Sequence, residues 1–286
     1  MSSPCVATLS SSRIEHWAKL GREAMLREVM LTPKPGLVDL KNNGSHDDMG
    51  VETFYLSIEA ITPWLHRFVE VGIRSAHEEP METFYHLRLL GQSCEKEMFE
   101  ATQGINTHKG MIFSQAIILG AAGRVIGCDM VLTSQLLQET IRQICTDLVA
   151  KDFTCKQPPL TAGERFYIQT KDGGIRAEAQ KGYPTLFSLA LPNFQQWKRL
   201  YGEEIAMKKT LLLLMSHLND TTLWSRGGLE GLRWGQQKAK NALNVPIEAL
   251  ENELTVLDES FISRRLSPGG SADLLAMTWL LDRLLF

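Results

Sequence analysis

The chain has 286 residues, 44% hydrophobic and 22% charged, with a net charge of −3 at pH 7. This is the composition of a folded globular protein and excludes a disordered or fibrous one. The charge balance offers no electrostatic footprint for nucleic acid, so an anionic ligand must be held by a local cluster of Lys and Arg.

Residues 1–12 are serine-rich, with neither a basic start nor an apolar centre, and read as a frayed tail rather than a secretory signal. Over 13–30, Ile14, Trp17, Ala18, Ala24, Met25 and Val29 recur at helical spacing until Thr32-Pro33 stops them. Pro33 and Pro35 then hold Lys34 on a stiff extended loop, as a candidate phosphate ligand. A second helix starts at Asp48 or Gly50 with Phe54, Ile58, Ile61, Leu65, Phe68 and Val69 on one face, and Pro63 marks a kink or a break in it. After a polar bend, Phe84, Leu87, Leu90, Cys94 and Phe99 predict a helix ending near Thr102. The apolar run 111–125 predicts a buried helix too short to span a membrane, and 134–149 predicts one more.

Between 151 and 184 the periodicity fades among Pro158, Pro159, Gly163, Gly173, Gly174, Gly182 and Pro184, which predicts a mostly irregular functional loop or lid with a weak strand at 166–169. Helical spacing resumes over 186–201, 203–218, 228–243, 247–266 and 272–286. Without a repeat or a dividing linker, the expectation is an all-α fold, a single compact multi-helix domain over 13–286 with site loops at helix ends. Cys5, Cys94, Cys128, Cys145 and Cys155 are widely spread with no C-x-x-C pair, as expected of thiols kept reduced in a cytoplasmic protein.

Chemistry concentrates in polar stretches at these helix ends. Gly104-Ile105-Asn106-Thr107-His108-Lys109-Gly110 leads into the apolar helix, where Asn106 or Thr107 would cap the first turn and Lys109 would stand where free amides already favour an anion. Two glycine-rich elements, Ser225-Arg226-Gly227-Gly228 and Ser267-Pro268-Gly269-Gly270-Ser271, each precede a predicted helix and offer amides to a phosphate, although either also reads as a plain helix cap. His46 and Asp48 lie two apart on a turn, which is not the spacing of a helical zinc pair. Trp224 and Trp234 flank the Arg226 stretch, and packing is the default reading for both.

With Leu31-Thr32-Pro33-Lys34-Pro35-Gly36-Leu37-Val38-Asp39, Asn43-Gly44-Ser45-His46-Asp47-Asp48-Met49 and the Gly104 stretch in order, the chain resembles the triphosphoribosyl-dephospho-CoA synthases. Leu160 to Arg165, Arg176-Ala177-Glu178, Gly182-Tyr183-Pro184, Asp220-Thr221, Ser225 to Gly228 and Leu266 to Asp273 extend the resemblance to the C-terminus. Leu40 and Thr222 depart from it, standing where Arg and Asn are usual. The resemblance implies that the 2′-hydroxyl of 3′-dephospho-CoA displaces adenine from the ATP ribose, with the triphosphate retained. The product is the precursor of the citrate lyase prosthetic group, or of that in malonate decarboxylase, and goes on to an acyl carrier protein subunit.

Glycosyl transfer of this kind needs a base for the incoming hydroxyl, an acid for the leaving purine and carboxylate near an oxocarbenium-like centre. On that basis Asp39 or Glu178 is expected as base, with Asn106 and His108 positioning ribose or protonating adenine. Mg²⁺ on the triphosphate is expected from Asp48 and Asp220, with His46 beside them. Lys34, Lys109, Arg176, Ser225, Arg226, Gly227, Gly228, Ser267, Gly269 and Gly270 are expected at phosphates. A Mg²⁺-dependent hydrolase of nucleotides or ADP-ribose groups would use similar carboxylates and release base to water without an acceptor. A non-enzymatic nucleotide sensor would have no need of so many carboxylates.

Overall fold

A helix that is apolar on every side has to be covered on every side, and the run beginning at Met111 is such a helix. The computed structural model of the chain describes residues 4–153 and 161–286, with side chains from residue 12 onward in the first helix. Its elements are α1 (Pro4–Met30), α2 (Val51–Arg74), α3 (Pro80–Ala101), α4 (Lys109–Gly127), α5 (Ser134–Ile144) and α6 (Leu148–Asp152), then α7 (Ala162–Thr170) and α8 (Gly174–Gln180). A π-helical turn (Thr185–Ala190) runs into α9 (Leu191–Tyr201), followed by α10 (Glu203–His217), α11 (Thr221–Leu243), α12 (Ile247–Ser263) and α13 (Gly269–Leu285). No described residue is in a strand, so the all-α expectation holds.

Around α4 pack α2, α3, α5 and α13. By length and composition α4 is apolar enough to cross a membrane, yet its residues from Met111 to Val125 are nearly all buried inside the protein. Its glycines set how close α2 can come: a Cβ at Gly123 would stand 2.2 Å from the Val69 carbonyl oxygen, and one at Gly72 would stand 1.9 Å from that of Gly120. Carbonyl backbone cannot yield as a flexible side chain can. The other two largely buried helices are α10 and α13, which pack on each other. In α10 the stems of Lys208 and Lys209 lie buried while their ammonium groups reach Glu204 and Glu251, and the Leu243 carbonyl.

The loop 31–50 is anchored to α12 and to the α12–α13 turn, and this brings distant parts of the chain to one place. The Gly36 amide donates to Asp258 (2.9 Å), Asn42 donates to the same carboxylate (2.8 Å), and Ser45 Oγ donates to the Leu266 carbonyl (2.6 Å). Gly36 has φ +69°, and a Cβ there would stand 2.2 Å from the Leu266 oxygen, so only glycine allows this approach.

Several local expectations need correction. Pro63 lies inside α2 without ending it. The supposed irregular stretch contains α6, α7 and α8, and the weak strand at 166–169 is part of α7. Thr161 and Glu164 form a reciprocal capping box there: the Thr161 hydroxyl accepts from the Glu164 amide, and the Glu164 carboxylate from the Thr161 amide. Residues 154–160 of the expected loop, and Cys155 with them, lie outside the described residues. Of the expected tail, residues 1–3 are also outside them, while the backbone from Pro4 to Ser12 continues α1. Cys94, Cys128 and Cys145 are free thiols, and burial raises Cys94 and Cys145 far above the usual thiol range.

Candidate active site

The starts of α4, α11 and α13 and the loop 31–50 together enclose a cleft of about 320 Å³. Lys34, His46, Asp48, Asn106, His108, Lys109, Ser225, Arg226, Ser267 and Gly269 all line it, so ten of the expected site residues meet in one place. Its floor is formed by the start of α4. His108 is the N-cap residue, and the Asn106 side chain accepts from the Lys109 amide (3.3 Å). The next two amides, of Gly110 and Met111, have no partner among the described residues. They belong to the turn where a helix leaves its N–H groups free for an anion.

His108 is the most constrained group in the cleft. Its Nδ1 lies 2.7 Å from Ser57 Oγ, which in turn accepts from Thr107 Oγ1 at 2.7 Å. With Thr107 donating, the serine proton faces Nδ1 and the ring proton is assigned to Nε2. Nε2 is buried and has no partner among the described residues. Burial, aided by the Lys34 ammonium, lowers the imidazole pKa to about 3, so the ring is a neutral hydrogen-bond donor. A buried donor left unpaired is costly, and an acceptor on a ligand would satisfy it.

Lys34 lines the same cleft but is already paired. Its ammonium donates to the Glu28 carboxylate (2.5 Å) and to the Glu28 carbonyl (2.7 Å), both deeply buried, leaving one of its three N–H bonds. At the rim, Arg226 donates to the Ser45 carbonyl (2.9 Å) and to His46 Nδ1 (3.0 Å). His46 Nε2 therefore carries the proton and faces Ser267 Oγ at 3.0 Å. Burial and the neighbouring Arg226 lower the His46 pKa. With both ring nitrogens engaged, His46 does not fit its expected role as a metal ligand. Asp48 stands 3.8 Å from His46 with its side chain 63% exposed, open to the cleft. Lys109, at the other edge, pairs with Glu95 at 3.0 Å.

Four expected residues are placed elsewhere. Asp39 is buried with its carboxylate accepting from the amides of Lys34, Lys41 and Asn42, so it braces its own loop instead of reaching the cleft. Asp220 caps α11 and clasps it to α13: it accepts from the amides of Thr222, Leu223, Gly270 and Ser271 and from the hydroxyls of Thr222 and Ser271. Six hydrogen bonds leave it no lone pair for a metal. Glu178 lines a separate cavity of about 170 Å³ with Asp172 and His217; burial raises its pKa against the hydrogen bonds it accepts from Thr185. Arg176 pairs with Asp152 (2.6 Å) in a cavity of about 230 Å³ that shares Lys109 with the main cleft.

The glycine elements also differ from expectation. Helical turns already run from Thr221 through Ser225, Arg226 and Gly227, and Gly228 (φ 61°, ψ −163°) breaks them from the second helical segment, which runs to Leu243 as expected. A Cβ on Gly227 would stand 2.5 Å from the Leu266 side chain, so this glycine serves packing. The Gly270 amide is spent on Asp220 and Thr222. Trp224 packs edge-on to Phe166, and Trp234 lies against Phe261.

Sequence reasoning passed over Glu28, Ser57 and Asp273 as site residues. Asp273 lines the cleft one turn inside α13, four residues after Gly269, and its carboxyl has no hydrogen-bond partner among the described residues. The i, i+4 spacing from a glycine that opens a helix was the signal available for it.

Helix starts and basic side chains thus converge on one polar cleft with a neutral histidine and an unpaired carboxyl inside, an arrangement suited to an enzyme that acts on a phosphorylated substrate. Residues 14–285 match the family model for CitG, ATP:dephospho-CoA triphosphoribosyl transferase, and the chain belongs to that family. It is thus a triphosphoribosyl-dephospho-CoA synthase, which joins ATP to dephospho-CoA and supplies the prosthetic group precursor of citrate lyase or malonate decarboxylase. No solved structure matches the chain.

Proposed function

We propose that the cleft at the start of α4 is where the transfer takes place, and that it binds the ATP ribose and triphosphate. The unpartnered, buried Nε2–H of His108 carries this reading, because it asks for an acceptor that the protein does not supply. A ribose hydroxyl or a purine nitrogen provides one. The free amide of Gly110, with Lys109 and Arg226 at the edges, takes phosphate oxygens, as cationic and backbone donors do at helix starts.

Mg²⁺ enters with ATP as part of the substrate. Among the described residues no three His, Cys, Asp or Glu side chains come together as a metal site. A nucleotide-bound Mg²⁺ takes only one or two protein carboxylates, with phosphate and water completing its shell. Asp48, exposed at the rim with His46 as its near neighbour at 3.8 Å, keeps oxygens open for that role; Asp220 and His46 do not fit it. When bound, the ion neutralises the triphosphate. Asp39 and Glu178 are left with structural work.

The cytoplasm is the setting that suits the free thiols. The product passes on for attachment to an acyl carrier protein subunit.

Chromatography of adenine released from ATP and Mg²⁺, with and without 3′-dephospho-CoA, tests this reading. Release that needs the acceptor, lost about 100-fold or more in His108→Gln and kept near normal in Glu178→Gln, is expected. Loss in Glu178→Gln with His108→Gln intact would move the reaction to the other cavity, and acceptor-independent release would favour a hydrolase.

A further inference from the structure

We propose that Asp273 is the acid that protonates adenine as its bond to the ATP ribose breaks. The proposal rests on the reading of the α4 cleft as the reaction site. Asp273 is the one described carboxyl that lines this cleft while having neither an ion-pair nor a hydrogen-bond partner among the described residues. Asp48 at the rim is near His46, and Glu28 is bound to Lys34. The fold makes room for it: a Cβ on Gly110 would stand 2.1 Å from Asp273 Oδ2, so the glycine opening α4 lets the carboxyl lie against the helix start beside His108.

Its surroundings favour the protonated form. Burial, with the negative charges of Glu28 on α1 and Asp220 at the start of α11 adding to it, raises its pKa well above the usual carboxylate range. The other titratable groups nearby are Lys34, bonded to Glu28, the buried Tyr183, whose hydroxyl donates to Ser114, and His108 and Lys109 on α4. None donates a hydrogen bond to the carboxyl. A carboxyl held in its protonated form has a proton to donate, which an ionised aspartate does not.

The step balances as follows. The Asp273 proton moves to a ring nitrogen of adenine, the C1–N9 bond breaks with its electron pair going to the base, and neutral adenine leaves. The 2′-oxygen of dephospho-CoA forms the new C1–O bond. Its proton goes to water in the open cleft, from which Asp273 is reprotonated.

Asp273→Asn tests it, with kcat for adenine release, ATP affinity by calorimetry, the pH profile of kcat and the melting temperature all measured. Expected are a fall in kcat of about 100-fold to 10,000-fold, a Kd for ATP within about threefold of wild type, and loss of the alkaline limb along which wild-type kcat falls as Asp273 ionises. Unchanged melting or a higher Tm would show that the fold is kept. A kcat near wild type, a retained alkaline limb, or a loss confined to ATP affinity would overturn the proposal. Arg226→Gln, measured alongside, separates the two ideas. A raised KM for ATP in that variant with normal Asp273→Asn turnover leaves the cleft and removes the acid, whereas wild-type behaviour in both removes the cleft itself.

Discussion

Side chains in this cleft are tuned chiefly by burial, and two of them have opposite consequences for stability. The His108 pKa is about 3 in the folded chain, against about 6.5 for an unperturbed imidazole. Between those values the unfolded chain binds a proton that the folded one does not. Stability contributed by a neutral His108 is therefore complete above about pH 6.5 and is lost towards pH 3, by at most about 1.4 kcal/mol per pH unit. Urea unfolding of wild type and His108→Gln from pH 4 to 8 is expected to give a shallower acid slope for the variant; equal slopes would mean that the imidazole is not held neutral. Asp273 works the other way. Its folded pKa is raised, so the folded chain holds a proton that the unfolded one releases, and stability falls as pH rises above the ordinary carboxylate range. Asp273→Asn removes that loss, so its Tm is expected to exceed that of wild type at pH 7 and to approach it near pH 4.

Helix α11 shows how far periodicity reads and where it stops. The apolar faces of α2, α3, α4, α5, α10, α12 and α13 follow from helical spacing, because each buries one stripe or its whole surface. The first turns of α11 do not, since Asp220 caps them seven residues before Gly227, although the break that Gly227-Gly228 predicts is present as the kink at Gly228. Similarly, the glycines around α7 and α8 conceal two short helices, although the Thr161–Glu164 capping box was present in the sequence. Asp220 matters at this scale because a single carboxylate closes both α11 and α13. Asp220→Ala removes the α11 cap and orphans the Ser271 amide, while the Gly270 amide keeps Thr222, a loss of about 2 kcal/mol or more. Thermal or urea unfolding checks this. A variant with normal stability that loses only its Mg²⁺ dependence would return Asp220 to the metal. Closer to the core, Gly123→Ala puts a methyl against the Val69 carbonyl and is expected to push α2 from α4, costing about 2 kcal/mol or more.

Across the whole molecule, the site is legible as residue types and not as partners. Asn106, His108 and Lys109 are polar groups at a helix start, Arg226 lies in the second turn of α11, and helix starts converge when three helices begin at one end of a bundle. Asp39, Arg176, Glu178 and Asp220 look the same in one dimension. Backbone amides or other side chains already hold them, and only tertiary structure shows that use. Arg176 and its neighbours illustrate what such groups do instead. Arg88 from α3 and Arg176 from α8 each donate at 2.6 Å to opposite oxygens of Asp152 in α6, and Arg176 also lies over the Phe153 ring. Their hydrogen bonds outweigh burial and hold the Asp152 carboxyl below its ordinary range. One carboxylate thereby ties three elements together at the edge of the cleft. Asp152→Asn removes the charge that both guanidinium groups share, at a cost of about 1–3 kcal/mol. Hydrogen exchange by mass spectrometry is then expected to quicken in α6, α7 and α8 while α4 and α13 stay protected, because their burial does not depend on this ion pair. If Arg176 were instead a phosphate ligand, Arg176→Gln would raise the KM for ATP without loosening α8; on the present reading it loosens α8 and leaves that KM within about twofold, since only uniform binding of ATP would move KM alone.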